Sequence, residues 1–271
     1  MDDYIMDKYV MYEEYGDSYM EKSTYDKLRE IVDWFRGQEY HNHMMHLYLE
    51  DFRKLPISIA DELEAFAVPD ESEISIDNYP SWMHEYSLGF IRNNHLVMGG
   101  RCVFPVKNSI GQVVGFLGWD PFATPKYLDS KNDGYKAKNT MFFGMEKIHD
   151  YYTSDKPVFI TEGSMCTAYL RANGFQALAS LGSHLTKYQI QILKRFGRRC
   201  IVVVDNDQAG FDFAKQVKYT LPLAQVVLCE YGKDIEGCRK EEDFKYEQDL
   251  LHDLRNVGNP FYRPKVLIRR R

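Results

Sequence analysis

The spacing of hydrophobic residues predicts that the first part of the chain is mainly helical. Apolar side chains recur every three or four positions in Tyr25–Phe35 and in Met44–Phe52, which is the period of an amphipathic helix. A further short helix is expected after Ile57, and Pro69–Ser72 has the composition of a loop. Residues 1–67 are therefore predicted to form a helical lead-in.

A strand–turn–strand pattern replaces the helical period between residues 101 and 119. Arg101–Val106 and Val113–Leu117 have the composition of strands, and Asn108–Gln112 between them contains the Asn, Ser and Gly typical of a turn. The N-terminal region, residues 1–150, is thus expected to be a mixed α+β subdomain whose strand segment begins at about residue 96.

From residue 151 onward, short apolar strands alternate with amphipathic helices. The predicted strands are Val158–Thr161, Ala177–Leu181, Cys200–Val204 and Gln225–Cys229, and the predicted helices are Met165–Ala172, Lys187–Phe196 and Ala209–Tyr219. Such alternation is typical of an α/β domain with a parallel sheet flanked by helices. We expect this domain to span residues 151–240, followed by a C-terminal helix and a basic tail at residues 241–271.

Composition indicates a globular protein with a sizeable core. The 271 residues are 44% hydrophobic and 14% aromatic, which is enough for one large or two small domains. The N-terminal sequence MDDYIMDKYV lacks the basic and apolar blocks of a secretory signal, and no apolar run approaches the length of about 20 residues that spans a membrane. We therefore predict a cytoplasmic protein without a membrane partner.

The net charge of −6 conceals an uneven distribution of charged residues. Residues 1–100 contain 8 basic and 21 acidic residues, whereas the remaining residues contain 26 basic and 19 acidic residues. Because a polyanion is repelled by the first segment and tolerated by the second, any nucleic acid is expected to bind to the second segment.

The cysteines do not have the spacing of a zinc site. Cys102, Cys166, Cys200, Cys229 and Cys238 never come within four residues of one another, so the chain contains no CxxC half-site. We expect buried, reduced thiols and no bound zinc.

Acidic residues follow three of the four predicted strands of the α/β domain. They are Glu162 after the first strand, Asp205 and Asp207 after the third, and Asp234 and Glu236 beyond the fourth. A single acidic group of this kind is also typical of a solvated turn that caps a helix. Three groups at the carboxyl ends of parallel strands would meet at one edge and repel each other unless cations bound there. Their hard oxygen ligands suit Mg²⁺ or Mn²⁺, which commonly bind substrate phosphates as well.

Together these segments resemble a Toprim domain, in particular that of the bacterial and phage DnaG-type primases. The matching segments are Val158–Gly163, Ala179–Ser183, Val203–Asp207 with Ala209 and Gly210, and Gly232–Glu236. Upstream, the segments Arg101–Val106, Gly111–Gly118, Thr124–Ser130 and Phe142–Gly144 resemble the strand region that precedes Toprim in primases alone. The resemblance covers residues 45–240. It implies an RNA polymerase core without a zinc-binding or helicase-binding domain, located in a bacterial or phage-infected cell.

The resemblance also implies site residues. The implied metal ligands are Glu162, Asp205, Asp207, Asp234 and Glu236, the first three of them also catalytic, and the implied nucleotide or template contacts are Arg101, Lys126 and Lys138. Two or more Mg²⁺ or Mn²⁺ ions are implied with them. Residues 101–147 contain seven basic and four acidic residues, and such a positive segment suits template and triphosphates, although lysines of this kind can also simply solvate a surface.

Two residues depart from the family pattern. Cys166 stands where these primases usually have an acid four residues after Glu162, and Trp119 stands where they often have an arginine after the second strand. The first departure bears on one metal position. The second changes a contact with nucleotide or template, with base stacking as one outcome.

The activity implied by the resemblance is the synthesis of short RNA primers on single-stranded DNA from ribonucleoside triphosphates. Two alternatives stay open: a Toprim nuclease that uses the same acids to direct water, and a non-catalytic DNA-binding subunit of the replisome. The chain has no GxxxxGK[ST] motif, so DNA unwinding is expected from a separate replicative helicase. That helicase or a separate zinc-bearing protein is the expected partner that delivers template.

Overall fold

A computed structural model describes residues 22–53, 55–85, 88–130, 141–205 and 207–228, which form two units. The first unit contains the described residues up to 130, apart from Arg53 and Leu55. The second contains those two residues and the described residues from 141 onward.

The first unit combines helices with an antiparallel sheet. Its elements are α1 (Lys22–Arg36), α2 (Glu39–Arg53), α3 (Ile57–Glu62), β1 (Phe66–Val68), β2 (Ile91–Arg92), β3 (His95–Leu96), β4 (Arg101–Lys107), β5 (Val113–Trp119) and β6 (Tyr127–Asp129). The sheet has the order β1-β4-β5-β6 with antiparallel pairs throughout, and β2 and β3 form a separate hairpin. Short 3₁₀ helices occupy Ile76–Asn78 and Ser81–His84.

Four fully buried aromatic rings form the centre of this unit. Phe35 of α1 stacks on Phe66 of β1 with 5.4 Å between ring centroids, and its centroid lies 5.2 Å from that of Phe90. Phe116 of β5 meets Phe66 and Phe90 edge-on. The apolar face of α1 is thus buried against the sheet, which explains the helical period seen in the sequence.

The second unit is a parallel sheet with helices. Its elements are α4 (Ile148–Thr153), β7 (Val158–Thr161), α5 (Ser164–Ala172), β8 (Gln176–Ala179), α6 (Lys187–Lys194), β9 (Cys200–Val204), α7 (Gln208–Thr220) and β10 (Gln225–Leu228). Short 3₁₀ helices precede α4 at Met145–Lys147 and β9 at Gly197–Arg199. The strand order is β10-β9-β7-β8, and all neighbouring strands are parallel.

The strand order places a topological switch point between β7 and β9. From β7 the chain continues to β8 on one side, and it then returns past β7 to β9 on the other side. In open α/β sheets the crevice at such a point, outside the carboxyl ends of the strands, is where ligands bind. Every residue of β7 and β9 is buried, which accounts for their continuous apolar sequences.

The fold class predicted from the sequence is confirmed, with corrections at three boundaries. Phe66–Val68 is a strand rather than the end of the helical lead-in, because it pairs with β4. The strand predicted over Ala177–Leu181 ends at Ala179, since Leu181 has the left-handed φ of 60°. The helix predicted to reach Phe196 ends at Lys194.

The second unit begins before the domain boundary predicted at residue 150. Phe143 forms an antiparallel bridge with Ala179 at the edge of the parallel sheet, and Gln189 of α6 donates to the carbonyl of Met141. Residues 141–147 therefore pack with the parallel sheet. The predicted C-terminal segment, 241–271, lies outside the described residues.

Three of the cysteines are buried and form no disulfide, as the sequence predicted. They are Cys102, Cys166 and Cys200, and burial raises the pKa of Cys200 to about 12. Cys229 and Cys238 lie outside the described residues. Within the described part of the chain, no helix combines the length and the apolar character needed to cross a membrane.

Candidate active site

Glu162 is the first residue after β7 and lies at the switch point. Its side chain is partly buried, and its carboxylate accepts a hydrogen bond from the main-chain N–H of Asp205, the first residue after β9. The Oε1 atom of Glu162 is buried and has no hydrogen-bond partner. Since a buried polar atom is normally satisfied, this oxygen is available to a ligand.

The pKa of Glu162 is raised above its ordinary value of 4.5. Burial is the largest cause, and the negative charge of Asp207 raises this pKa further. The hydrogen bond from Asp205 and the charge of His184 lower it in part. The acidic groups that follow β7 and β9 therefore lie close enough for the charge of Asp207 to act on Glu162.

Asp207 is also the N-cap of α7. Its side chain accepts a hydrogen bond of 2.9 Å from the main-chain N–H of Gly210. A Cβ atom at Gly210 would overlap the main chain of Asp205, so glycine is required for this close turn. The helix-capping interpretation and the acidic-site interpretation of Asp207 are thus compatible, because the cap holds the carboxylate next to Glu162.

The loop between β8 and α6, residues 180–186, lies at the same edge and is held at both ends. Ser180 donates its main-chain N–H to the carbonyl of Thr161, the last residue of β7, at 2.9 Å. Gln216 of α7 forms two hydrogen bonds of 2.8 Å with the main chain of Leu185. Leu181, in between, has a left-handed backbone, which is unfavourable for a bulky residue and persists where surrounding contacts impose it.

His184 is exposed on this β8–α6 loop and is a site candidate that the sequence analysis missed. Its charge acts on Glu162, and the Oγ atom of Ser183 lies 3.2 Å from its Nδ1 atom. The only signal in the sequence is its position directly after the strand-end segment Ala179–Ser183. The sequence around a single histidine in a loop does not indicate which residues lie near it in the fold, since these come from other elements.

The donor chemistry at this edge fits a hard divalent cation. Glu162, Asp205 and Asp207 offer carboxylate oxygens, one of them the buried and unpartnered Oε1 of Glu162. Among the residues that the structure describes, no three His, Cys, Asp or Glu side chains are already arranged as a metal site. The other two predicted ligands, Asp234 and Glu236, lie outside those residues.

Arg101, a predicted nucleotide or template contact, is buried and bonded to the main chain. Its guanidinium donates to the carbonyls of Pro125 at 3.0 Å and Lys126 at 3.1 Å, joining β4 to the loop before β6. Lys126 is partly exposed, and its Nζ lies 5.5 Å from the centroid of the Tyr127 ring. The role of both residues in binding stays a prediction, and Lys138 lies outside the described residues.

Trp119 lines a cavity of about 310 Å³ in the first unit together with Arg101, Tyr48 and Phe122. Trp119 is only 1% exposed, and its ring centroid lies 5.7 Å from that of Tyr48. The expectation that it stacks on a base stays a prediction. Phe122, which also lines this cavity, is 83% exposed.

Part of the second unit is similar to a known class of α/β domain. Residues 159–237 match the family described as Toprim-like. The residues that carry this match include Glu162, Asp205 and Asp207, at the carboxyl ends of β7 and β9. This part of the second unit therefore resembles a Toprim-like domain.

Comparisons over more of the chain lead to the DnaG-type primases. The DNA primase of Deinococcus radiodurans is 34% identical over 115 residues, which are 41% of this chain and 20% of that protein. The structure of a DnaG catalytic core matches 86% of this chain and 82% of its own, with a TM-score of 0.68 and 24% identity. A DnaG primase catalytic domain bound to single-stranded DNA matches 84% of this chain and 81% of its own, with a TM-score of 0.67 and 22% identity.

This chain therefore has the fold of a DnaG-type primase catalytic core, and the resemblance predicted from the sequence is confirmed. The chain spans about a fifth of the length of the curated relative it matches.

Proposed function

We propose that this protein is a primase catalytic core that synthesises short RNA primers on single-stranded DNA. The observation that carries the proposal is the meeting of Glu162 with Asp205 and Asp207 at the switch point of a Toprim-like sheet. Acidic groups held together at the strand ends, one with an unpartnered buried oxygen, suit chemistry on a triphosphate.

In the proposed reaction, a 3′-hydroxyl attacks the α-phosphorus of a ribonucleoside triphosphate. A bond forms between the 3′-oxygen and this phosphorus, and the bond to the leaving pyrophosphate breaks. Mg²⁺ or Mn²⁺ bound by these carboxylates would neutralise charge on the triphosphate, and the family resemblance implies two or more ions. Glu162, Asp205, Asp207, Asp234 and Glu236 are the proposed ligands.

The chain's own residues contribute position and proton transfer. The hydrogen bond between the Asp205 main chain and the Glu162 carboxylate links the end of β9 to the end of β7. The pKa of Glu162 is raised, which makes this carboxylate a better proton acceptor than an ordinary one. We therefore propose Glu162 as a metal ligand or as the base for the attacking hydroxyl.

The distribution of charged residues along the chain supports the proposals for template binding and for partners. Lys126 and Lys138 are proposed to contact nucleotide or template phosphates, and Arg101 is proposed to support the loop that carries Lys126. The excess of acidic residues before position 100 opposes polyanion binding, so single-stranded DNA should bind weakly and be salt-sensitive. A replicative helicase or a separate zinc-bearing protein is therefore proposed to deliver template.

A priming assay tests the proposal. The full chain is incubated with single-stranded DNA, labelled ribonucleotides and Mg²⁺ or Mn²⁺, and products are separated by length, with the Asp205→Asn variant as the control. Short RNA products from the unmodified chain that are absent from the variant are expected. Cleavage of the template instead would indicate the nuclease alternative, and DNA binding without either product would indicate a non-catalytic subunit.

A further inference from the structure

The β8–α6 loop crosses the candidate active site. β7 lies between β8 and β9 in the sheet, and α7 packs against β9. The loop begins at the end of β8 and is bonded through Leu185 to Gln216 of α7. Between Ala179 and Leu185, the chain therefore passes the carboxyl end of β7, where Glu162 lies.

Hydrogen bonds determine the conformation of this loop. The carbonyl of Ser180 accepts from Gln189 of α6 at 3.0 Å, and the Ser180 hydroxyl donates to the carbonyl of Gly182 at 2.7 Å. At the other end, Thr186 forms a capping box with Gln189 at the start of α6. These contacts maintain Leu181 in its left-handed conformation. Backbone strain that the surroundings enforce is concentrated at ligand-binding sites in proteins.

His184 is the side chain that this loop presents among the acidic groups. Its charge acts on Glu162 on one side. On the other side, hydrogen bonds from Lys215 and Gln208 lower the pKa of Asp212 in α7, and the charge of His184 adds to them. His184 is exposed and thus accessible to a substrate. The Ser183 hydroxyl can donate to Nδ1, an arrangement that places the ring hydrogen on Nε2.

We propose that His184 contacts the phosphates of the incoming ribonucleoside triphosphate. This inference rests on the proposed function and adds a substrate-contacting residue to it. A triphosphate bound beside Glu162 at the switch point would lie next to the loop that carries His184. An imidazole N–H donates a hydrogen bond to a phosphate oxygen, and a protonated ring also contributes a positive charge among the surrounding carboxylates. The fixed loop places this donor before substrate arrives, so little ordering is required on binding.

Three variants and three measurements test the inference. His184→Ala removes the donor, His184→Asn retains a shorter N–H donor, and His43→Ala is the control because His43 is exposed on α2 in the other unit. The KM for ribonucleoside triphosphates is measured in the priming assay with Mn²⁺. Direct binding of ATP and of a single-stranded oligonucleotide is measured by titration calorimetry, and thermal unfolding confirms that each variant is folded.

The expected result separates triphosphate from template. His184→Ala should raise both the KM and the Kd for triphosphate about tenfold, since a hydrogen bond to a charged group is lost, and His184→Asn should recover part of this. The Kd for single-stranded DNA should not change, and His43→Ala should resemble the unmodified chain. Unchanged triphosphate binding by His184→Ala would overturn the inference, as would a loss confined to DNA binding. Failure of the unmodified chain to make primers would overturn the proposed function, while the calorimetry would still decide the role of His184.

Discussion

The main-chain N–H of Asp205 donates a hydrogen bond to the Glu162 carboxylate and so joins the ends of β9 and β7. This bond connects residues separated by more than forty positions in the sequence. The Oε1 atom of Glu162 is buried and has no hydrogen-bond partner. The geometry of the proposed site therefore depends on the turn after β9 as much as on the acids themselves.

Two substitutions of Asp207 should separate its charge from its helix cap. Asp207→Asn retains a capping oxygen for the N–H of Gly210 and should change the free energy of unfolding by only a few tenths of a kcal/mol, while abolishing primer synthesis. Asp207→Ala should also abolish synthesis and should destabilise the fold by about 1 kcal/mol. Chemical denaturation and the priming assay measure the two effects. Normal synthesis by Asp207→Asn would contradict the metal-ligand assignment.

Replacing Glu162 by Gln should stabilise the metal-free protein at neutral pH. Because the pKa of Glu162 is raised in the folded protein, its ionisation opposes folding above that raised pKa. As the pH falls through the raised pKa, the folded protein takes up a proton before the unfolded chain does. The contribution of this group to the free energy of unfolding therefore increases as the pH falls, until the pH reaches the ordinary pKa of 4.5.

The measurement for Glu162→Gln is thermal unfolding in chelator across this pH range. We expect the Tm of the variant to exceed that of the unmodified chain by about 2 °C at pH 7, with the difference vanishing below the ordinary pKa. A constant difference at all pH values would show that the effect does not come from the ionisation of Glu162.

Gly210→Ala should disturb the turn that holds Asp205. The new Cβ atom would overlap the Asp205 main chain, so the turn must shift, at a cost of about 1–3 kcal/mol in the free energy of unfolding. Gly182→Ala is the matched control, because a Cβ at Gly182 meets no atom within 4 Å and should change stability by less than about 0.5 kcal/mol. Equal stability of the two variants in urea would refute the close approach.

Arg101 and Lys126 should differ in what their removal affects. Arg101→Ala removes the side-chain donor to the carbonyl of Pro125 and one of the two donors to the carbonyl of Lys126, and should cost about 1–3 kcal/mol of stability. Lys126→Ala should leave stability within about 0.5 kcal/mol and instead weaken binding of single-stranded DNA or triphosphate, with the largest loss at low salt. Lys187→Ala, at an exposed position at the start of α6, is the control. If Lys126→Ala binds as Lys187→Ala does, Lys126 is a solvated surface residue without a role in binding.

The local pattern of the sequence was sufficient to predict most helices and strands and the acidic edge of the parallel sheet. Buried parallel strands such as Cys200–Val204 are continuous apolar runs, and the polar residue that follows each run marks the strand end. The position of Glu162 and Asp205 at strand ends could therefore be predicted from the hydrophobic pattern and from the common direction of parallel strands. The primase resemblance rested on the same short segments.

Only the tertiary structure decided how neighbouring segments use their polar groups. The sequence made Arg101 and Trp119 candidates for substrate contact, but the structure buries both, and the guanidinium of Arg101 bonds to main-chain carbonyls. His184 had no signal beyond its position after a strand-end segment, because its acidic neighbours come from the end of β7 and from α7, which are distant in sequence. A hydrophobic period reports which face of an element is buried. The partner of a polar side chain depends on strand order and loop conformation, which are properties of the folded chain.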